Sequence, residues 1–190
     1  MNKDYELLID RLSRRYNLEE FSGDSLWNIS FNLVIRENQF KVECVKREDD
    51  LRNFGLGLSE WSKDMFCPYQ WDDAIKAGAS FRELITHHKE KRDLAYLIFN
   101  KEQPIGLFFL WKVIKNEKGL IIPEAGEGII DSYQGMGFGA FAFNMLTEIS
   151  DILKADAIEM TTDLRNPKTK FLYESRGYEV LGIIKNPLEI

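Results

Sequence analysis

Two stretches of the chain combine residue types that do chemistry. In Gln134-Gly135-Met136-Gly137-Phe138-Gly139, three glycines stand at alternate positions just ahead of a long run of helical periodicity. Glycines so spaced let the backbone turn tightly and approach a ligand with no Cβ atoms in the way. The N–H groups that open the next helix lack partners inside it, and they point to one place where the helix dipole favours an anion. A diphosphate is the ligand that suits such a turn. The second stretch runs from Asn166 to Tyr178. Asn166 suits an N-cap, Pro167 a first helical position and Gly177 a C-terminal stop, so a short helix is expected over 167–176. Phe171, Leu172 and Ser175 are placed to face a sheet. Tyr173, about 200° round the helix from Phe171, points elsewhere and offers its phenol to a ligand groove.

The glycine turn has a rival reading. Gly135, Gly137 and Ala140 match the G-x-G-x-x-A dinucleotide fingerprint, and Glu159 follows Gly139 by 20 residues. Only 51 residues follow Gly139, too few for a second mononucleotide-binding half, and about 130 precede the motif, where the fingerprint ordinarily opens a domain. Other reactive side chains carry less. His87 and His88 are adjacent, point in different directions and read as solvated residues near a helix end. Cys67 has no histidine partner and reads as a buried thiol.

These residues need elements to hold them. Leu7, Leu8, Arg11, Leu12 and Arg15 predict an amphipathic helix at the start, followed by a loop over 17–25. Residues 29–35 and 40–46 read as strands joined by a hairpin at 36–39. Leu51, Phe54, Leu58 and Trp61 space a helix over 48–65, and a second, mostly polar helix is expected over 72–89. Trp61, Phe66, Tyr69 and Trp71 make the connection between them aromatic. Strands are expected at 94–99, 105–114 and 127–131, then a buried helical face from Phe138 to Leu153. A strand at 157–162, the short helix and a last strand at 178–184 complete the chain. The order predicts an α/β fold: a mixed, mostly antiparallel sheet with helices on both faces.

Together the glycine turn and the 166–178 segment resemble the two signatures of the GNAT superfamily of acyl-CoA-dependent N-acetyltransferases. The first looks like its [Gln/Arg]-x-x-Gly-x-[Gly/Ala] pyrophosphate loop, and the second like its Asn, short helix with Phe/Leu-Tyr, then Gly-[Phe/Tyr]. The resemblance implies a GNAT-like domain over 40–190; residues 1–39, a helix plus a strand, lie outside its motifs as an N-terminal extension expected to add a strand or a dimer contact. It implies a splayed parallel strand pair, 127–131 and 157–162, holding acetyl-CoA or another acyl-CoA. The pantetheine would pair with the backbone of Ile129, Ile130 and Asp131. The diphosphate would rest on the N–H groups of Gln134, Gly135, Met136, Gly137, Phe138 and Gly139, Asn166 would hydrogen-bond along the pantetheine, and Tyr173 would sit near the sulfur. Acyl transfer from a thioester to a primary amine, directly in a ternary complex, then needs a polarised carbonyl, a base and a proton for the thiolate. A backbone N–H near Ile129 or Ile130 would polarise the carbonyl, Tyr173 would be the acid and Glu127 the base acting through water, with Glu124 in reserve. A non-catalytic acyl-CoA sensor or interaction module is the alternative.

Composition narrows the partners. Against 25 basic residues stand 31 acidic ones, a formal charge of -6, the wrong sign for binding nucleic acid by counterion release. The chain has 190 residues, 44% hydrophobic and 29% charged, ordinary globular usage. Two cysteines make no disulfide framework and no metal-ligand spacing, and no apolar stretch approaches the ~20 residues that span a bilayer. A metal-free, cytoplasmic enzyme is the expectation.

Overall fold

A computed structural model describes residues 2–65 and 74–183. Helix α1 (Lys3–Ser13) starts where the Asn2 side chain accepts the Asp4 N–H at 3.0 Å, and it buries Tyr5, Leu8 and Leu12. Strands β1 (Asn17–Ser22), β2 (Ser30–Ile35) and β3 (Asn38–Cys44) follow as an antiparallel meander. The β2–β3 turn is only Arg36-Glu37, both at positive φ, the backbone of a two-residue hairpin. The expected loop at 17–25 is therefore in part an edge strand. Its residues are mostly exposed, so burial left almost no alternation in the sequence.

The helix expected over 48–65 is two helices, α2 (Glu48–Leu56) and α3 (Glu60–Met65). They part at Gly57-Leu58-Ser59 because Asp131 captures the Ser59 N–H and hydroxyl, each at 3.0 Å, and opens a new helix there. Helix α4 (Ala74–Lys89) precedes the two central strands, β4 (Leu94–Asn100) and β5 (Gln103–Trp111). Both are apolar at almost every position because both of their faces are covered. Phe108 packs against Phe141 on one face, and Phe109 turns to the other. Phe66, Cys67, Tyr69 and Trp71 lie outside the described residues.

Strand β6 (Glu124–Ile129) pairs antiparallel with β5, helix α5 (Phe138–Ile152) crosses back, and β7 (Glu159–Met160) runs parallel to β6. Helix α6 (Pro167–Glu174) ends the regular structure. Among the described residues seven strands thus lie in chain order, antiparallel except for the last pair. Helices α2 and α4 lie against β5 and β4, while α1 packs on α5, which covers β5 and β6. Phe31, Phe40, Phe108, Phe138 and Phe141 join strands to α5 in one core, with Phe138 edge-on to Phe40 at 4.7 Å. Leu8, Leu12, Phe31 and Leu33 from the first 39 residues belong to that same core.

Three further expectations change. Residues 178–183 form no strand, and Val180, Leu181 and Ile183 stand exposed; Ile184 lies outside the described residues. His88 is buried and saturated, with Nε2 on the Trp27 carbonyl at 2.9 Å and Nδ1 accepting the Ala95 N–H at 3.3 Å. His87 is held by Asp93 at 2.8 Å.

Candidate active site

The site begins with a strand pair that separates. β6 and β7 are in register only at Glu124–Glu159 and Ala125–Met160, after which β6 runs on to Ile129 paired with β5 alone. Main-chain groups alternate sides along a strand. The Ile130 N–H donates to the Ile105 carbonyl at 2.9 Å, while the Pro123 carbonyl accepts the Glu159 N–H, also at 2.9 Å. By that alternation Glu127 and Ile129 turn their main-chain groups to the side that β7 has left, and Ile130 does not. The Ile129 N–H is thus on the open side, and the Ile129 carbonyl already receives the Gln134 amide at 3.1 Å. Strand β6 ends at Ile129, so Asp131 stands in the turn that follows.

A cleft of about 410 Å³ fills the gap. On the α2–α3 side its wall is Leu58, Trp61, Phe109 and Trp111, the last two stacked at 4.4 Å. On the α5–α6 side it meets Glu127, Gly139, Leu172 and Tyr173. Gly126 is required between them. A Cβ there would fall 2.4 Å from the Phe109 ring.

Glu127 and Tyr173, 46 residues apart, meet in this cleft: the Tyr173 hydroxyl donates to Glu127 Oε1 at 3.0 Å. Tyr173 is 8% exposed and its ring stacks on Phe143 with centroids 5.9 Å apart. Phe171, expected to face the sheet, is 73% exposed, so α6 is rotated to bring its tyrosine inward and Ser175 outward. Glu127 Oε2 is buried, with no hydrogen-bond partner among the described residues. Burial pushes the Glu127 carboxyl up to about 7, against the opposing pull of the Tyr173 hydrogen bond and the Arg176 charge. Burial and the neighbouring carboxylate push the Tyr173 phenol far above its ordinary range. Glu124, the reserve base, is the first residue of β6 and pairs with Lys112 at 3.5 Å.

The glycine turn is open. Gly135 and Gly137 take φ of 75° and 103°, Gly137 is the N-cap of α5, and no side chain caps that helix. Among the described residues nothing lies within 4 Å of the Cβ positions of Gly135, Gly137 or Gly139, so these leave their side of the turn clear for a ligand. Met136 and Phe138 pack into the core, which leaves only their main chain to meet an anion. Asn166 caps α6, its side-chain oxygen accepting the Thr169 N–H at 3.2 Å, and its amide nitrogen is the part left for a ligand. The Asp131 side chain serves α3 instead. Burial opposes its charge, but the Ser59 N–H and the Ser62 and Ser59 hydroxyls outweigh that and hold its acidity below the ordinary carboxylate range.

Some site features were absent from the sequence reading. The Phe109–Trp111 stack is local to β5, while the Arg165–Asp64 ion pair at 2.8 Å beside the cleft and Arg176 over the Phe143 ring at 4.8 Å join residues distant in sequence. Only Phe109 and Trp111 carried a signal, their spacing of two on an apolar strand.

No protein-family model matches the chain, and no relative was found among curated proteins. Solved structures do match. The GNAT domain of PAT from S. lividans has 17% identity over 83% of this chain and 91% of its own, with a TM-score of 0.62. RimJ of Mycobacterium smegmatis, solved with CoA-disulfide, gives 17%, 84%, 79% and 0.61. The ribosomal-protein-S5-alanine acetyltransferase of Vibrio fischeri gives 17%, 80%, 85% and 0.63. The fold of this chain is the GNAT acetyltransferase fold.

Proposed function

We propose that this protein is an N-acyltransferase that moves an acyl group, acetyl first among the candidates, from acyl-CoA directly to a primary amine. The observation that carries the reading is Glu127 Oε2: a buried, unpartnered acceptor beside a buried tyrosine, in the cleft between the parting strands. A carboxylate near neutrality is matched to removing a proton from an amine at physiological pH. The open N–H groups from Gly135 to Gly139 fit a diphosphate, and the Ile129 N–H fits a thioester carbonyl. Asn166 would steady the pantetheine, and the aromatic wall of Trp61, Phe109 and Trp111 would hold the acceptor. The solved neighbours support the reading, since RimJ was solved with a CoA derivative and the Vibrio fischeri protein acetylates an alanine. An α-amine is therefore the first acceptor to try.

The test is release of free CoA from acetyl-CoA across a panel of amines, with CoA protection against heat measured alongside. Turnover with at least one amine is expected. Tyr173→Phe should slow it by about 10²-fold while CoA affinity stays within a few-fold. CoA binding without turnover on any amine would make the protein a sensor and overturn the enzyme reading.

A further inference from the structure

Glu127 and Tyr173 stand in a relation that separate acid and base roles do not explain. The Tyr173 hydroxyl donates its proton to Glu127 Oε1, so in this arrangement it does not point at a leaving group. The phenol is also held far above its ordinary pKa, first by burial and next by the carboxylate's charge. A thiolate, near ~8.5, is a poor match for so weak an acid. If Glu127 is neutral, the first obstacle goes and the second shrinks, because the carboxylate's share of it is removed while burial remains. Oε1 then becomes a weaker acceptor, the repulsion on a developing phenolate disappears, and the hydroxyl is released to turn.

Resting on the acyltransferase reading, we infer that Glu127 and Tyr173 form one ordered proton relay, in which the amine proton taken up at Oε2 is what frees the Tyr173 proton for the leaving sulfur. The nitrogen lone pair forms the C–N bond, and the nitrogen loses a proton to Glu127 Oε2. The C–S bond breaks with its electron pair on sulfur, which takes the Tyr173 proton. A half-turn of the now neutral carboxyl brings its O–H to the phenolate and returns that proton, so the pair ends as it began. No proton enters from solvent.

The surroundings suit the relay. Tyr173, Tyr178 and Arg176 are the titratable or charged groups that act on Glu127 from α6 and the residues after it. Helix α5 contributes Phe143 to the tyrosine side, and β5 sets Phe108 opposite Glu127. Glu124, Arg165 and Lys168 line the same cleft, and Arg165 is tied to Asp163 and Asp64.

A double-mutant cycle with isosteric changes tests the relay, with folding checked by melting. Glu127→Gln and Tyr173→Phe should each slow CoA release by about 10²-fold, and the double variant should be no slower than the slower single, because both remove one device. Losses that multiply to about 10⁴-fold would mean two independent groups and overturn the relay. A second readout needs no turnover: the carboxyl carbon of Glu127, followed by NMR, should titrate near 7 and move upward in Tyr173→Phe, which loses a donor to the anion. An unmoved titration also overturns it. If the wild-type protein releases no CoA with any amine, the acyltransferase reading fails first.

Discussion

At the scale of the residue, Glu127 is an acid whose burial sets its chemistry and is also a cost to the fold. Its carboxyl rises from an ordinary 4.5 to about 7, so the native state holds its proton more tightly than the unfolded chain. The favourable contribution of that proton is complete below pH 4.5 and is lost as pH climbs through about 7, a swing of about 3 kcal/mol. Glu127→Gln keeps an oxygen for the Tyr173 hydroxyl and removes the titration. Its melting temperature relative to wild type should therefore climb steadily between pH 4.5 and 7.5 and then level off. A difference that stays flat across that range would show Glu127 to be solvated. Both were candidates in the sequence, Glu127 by its place two residues before Ile129 on a strand and Tyr173 by its place on the Asn166 helix. Their contact was not legible there. It depends on how α6 rotates about its axis, and the exposure of Phe171 shows that apolar spacing misjudged that rotation.

At the scale of the element, β6 is shaped by what crosses it. Glycine at 126 looks like a weakness in a strand, yet the Phe109 ring occupies the space a side chain would need, 2.4 Å from the Cβ position. Gly126→Ala should destabilise by about 1–3 kcal/mol, because the ring must leave its stack on Trp111. Adding Phe109→Leu should recover part of that loss, which urea melts of the four proteins would show. Equal losses with and without the ring would remove the steric argument. Elements with a buried periodic face were readable: α1, α5 and the central strands all lie within a few residues of expectation. Those set by a distant partner were not. The break between α2 and α3 follows from the Asp131 carboxylate 72 residues away, and β1 is an edge strand with little apolar pattern. The last strand failed for the opposite reason: residues 178–183 have the composition of a strand but pair with no strand among the described residues.

At the scale of the whole molecule, the sheet and both helical layers share one core, and the residues before Phe40 are inside it. Leu8 and Leu12 are fully buried, Tyr5 nearly so, and all three sit on α1, which packs along α5. Arg11 binds Glu148 and Asp151 on the far side of the same contact. Helix α5 is also the helix whose first turn faces the proposed diphosphate, so α1 braces the site from behind. Each buried leucine is worth about 2–5 kcal/mol against alanine, and ordinary domains are stable by only about 5–15 kcal/mol. Removing residues 2–16 should therefore abolish a cooperative melt, while Leu12→Ala alone should lower stability by about 2–5 kcal/mol and leave CoA binding intact in the folded fraction. A shortened chain that still melts cooperatively within a few degrees of the full one would mean that α5 holds its turn unaided, and that the N-terminal helix is an appendage to the acyl-CoA cleft.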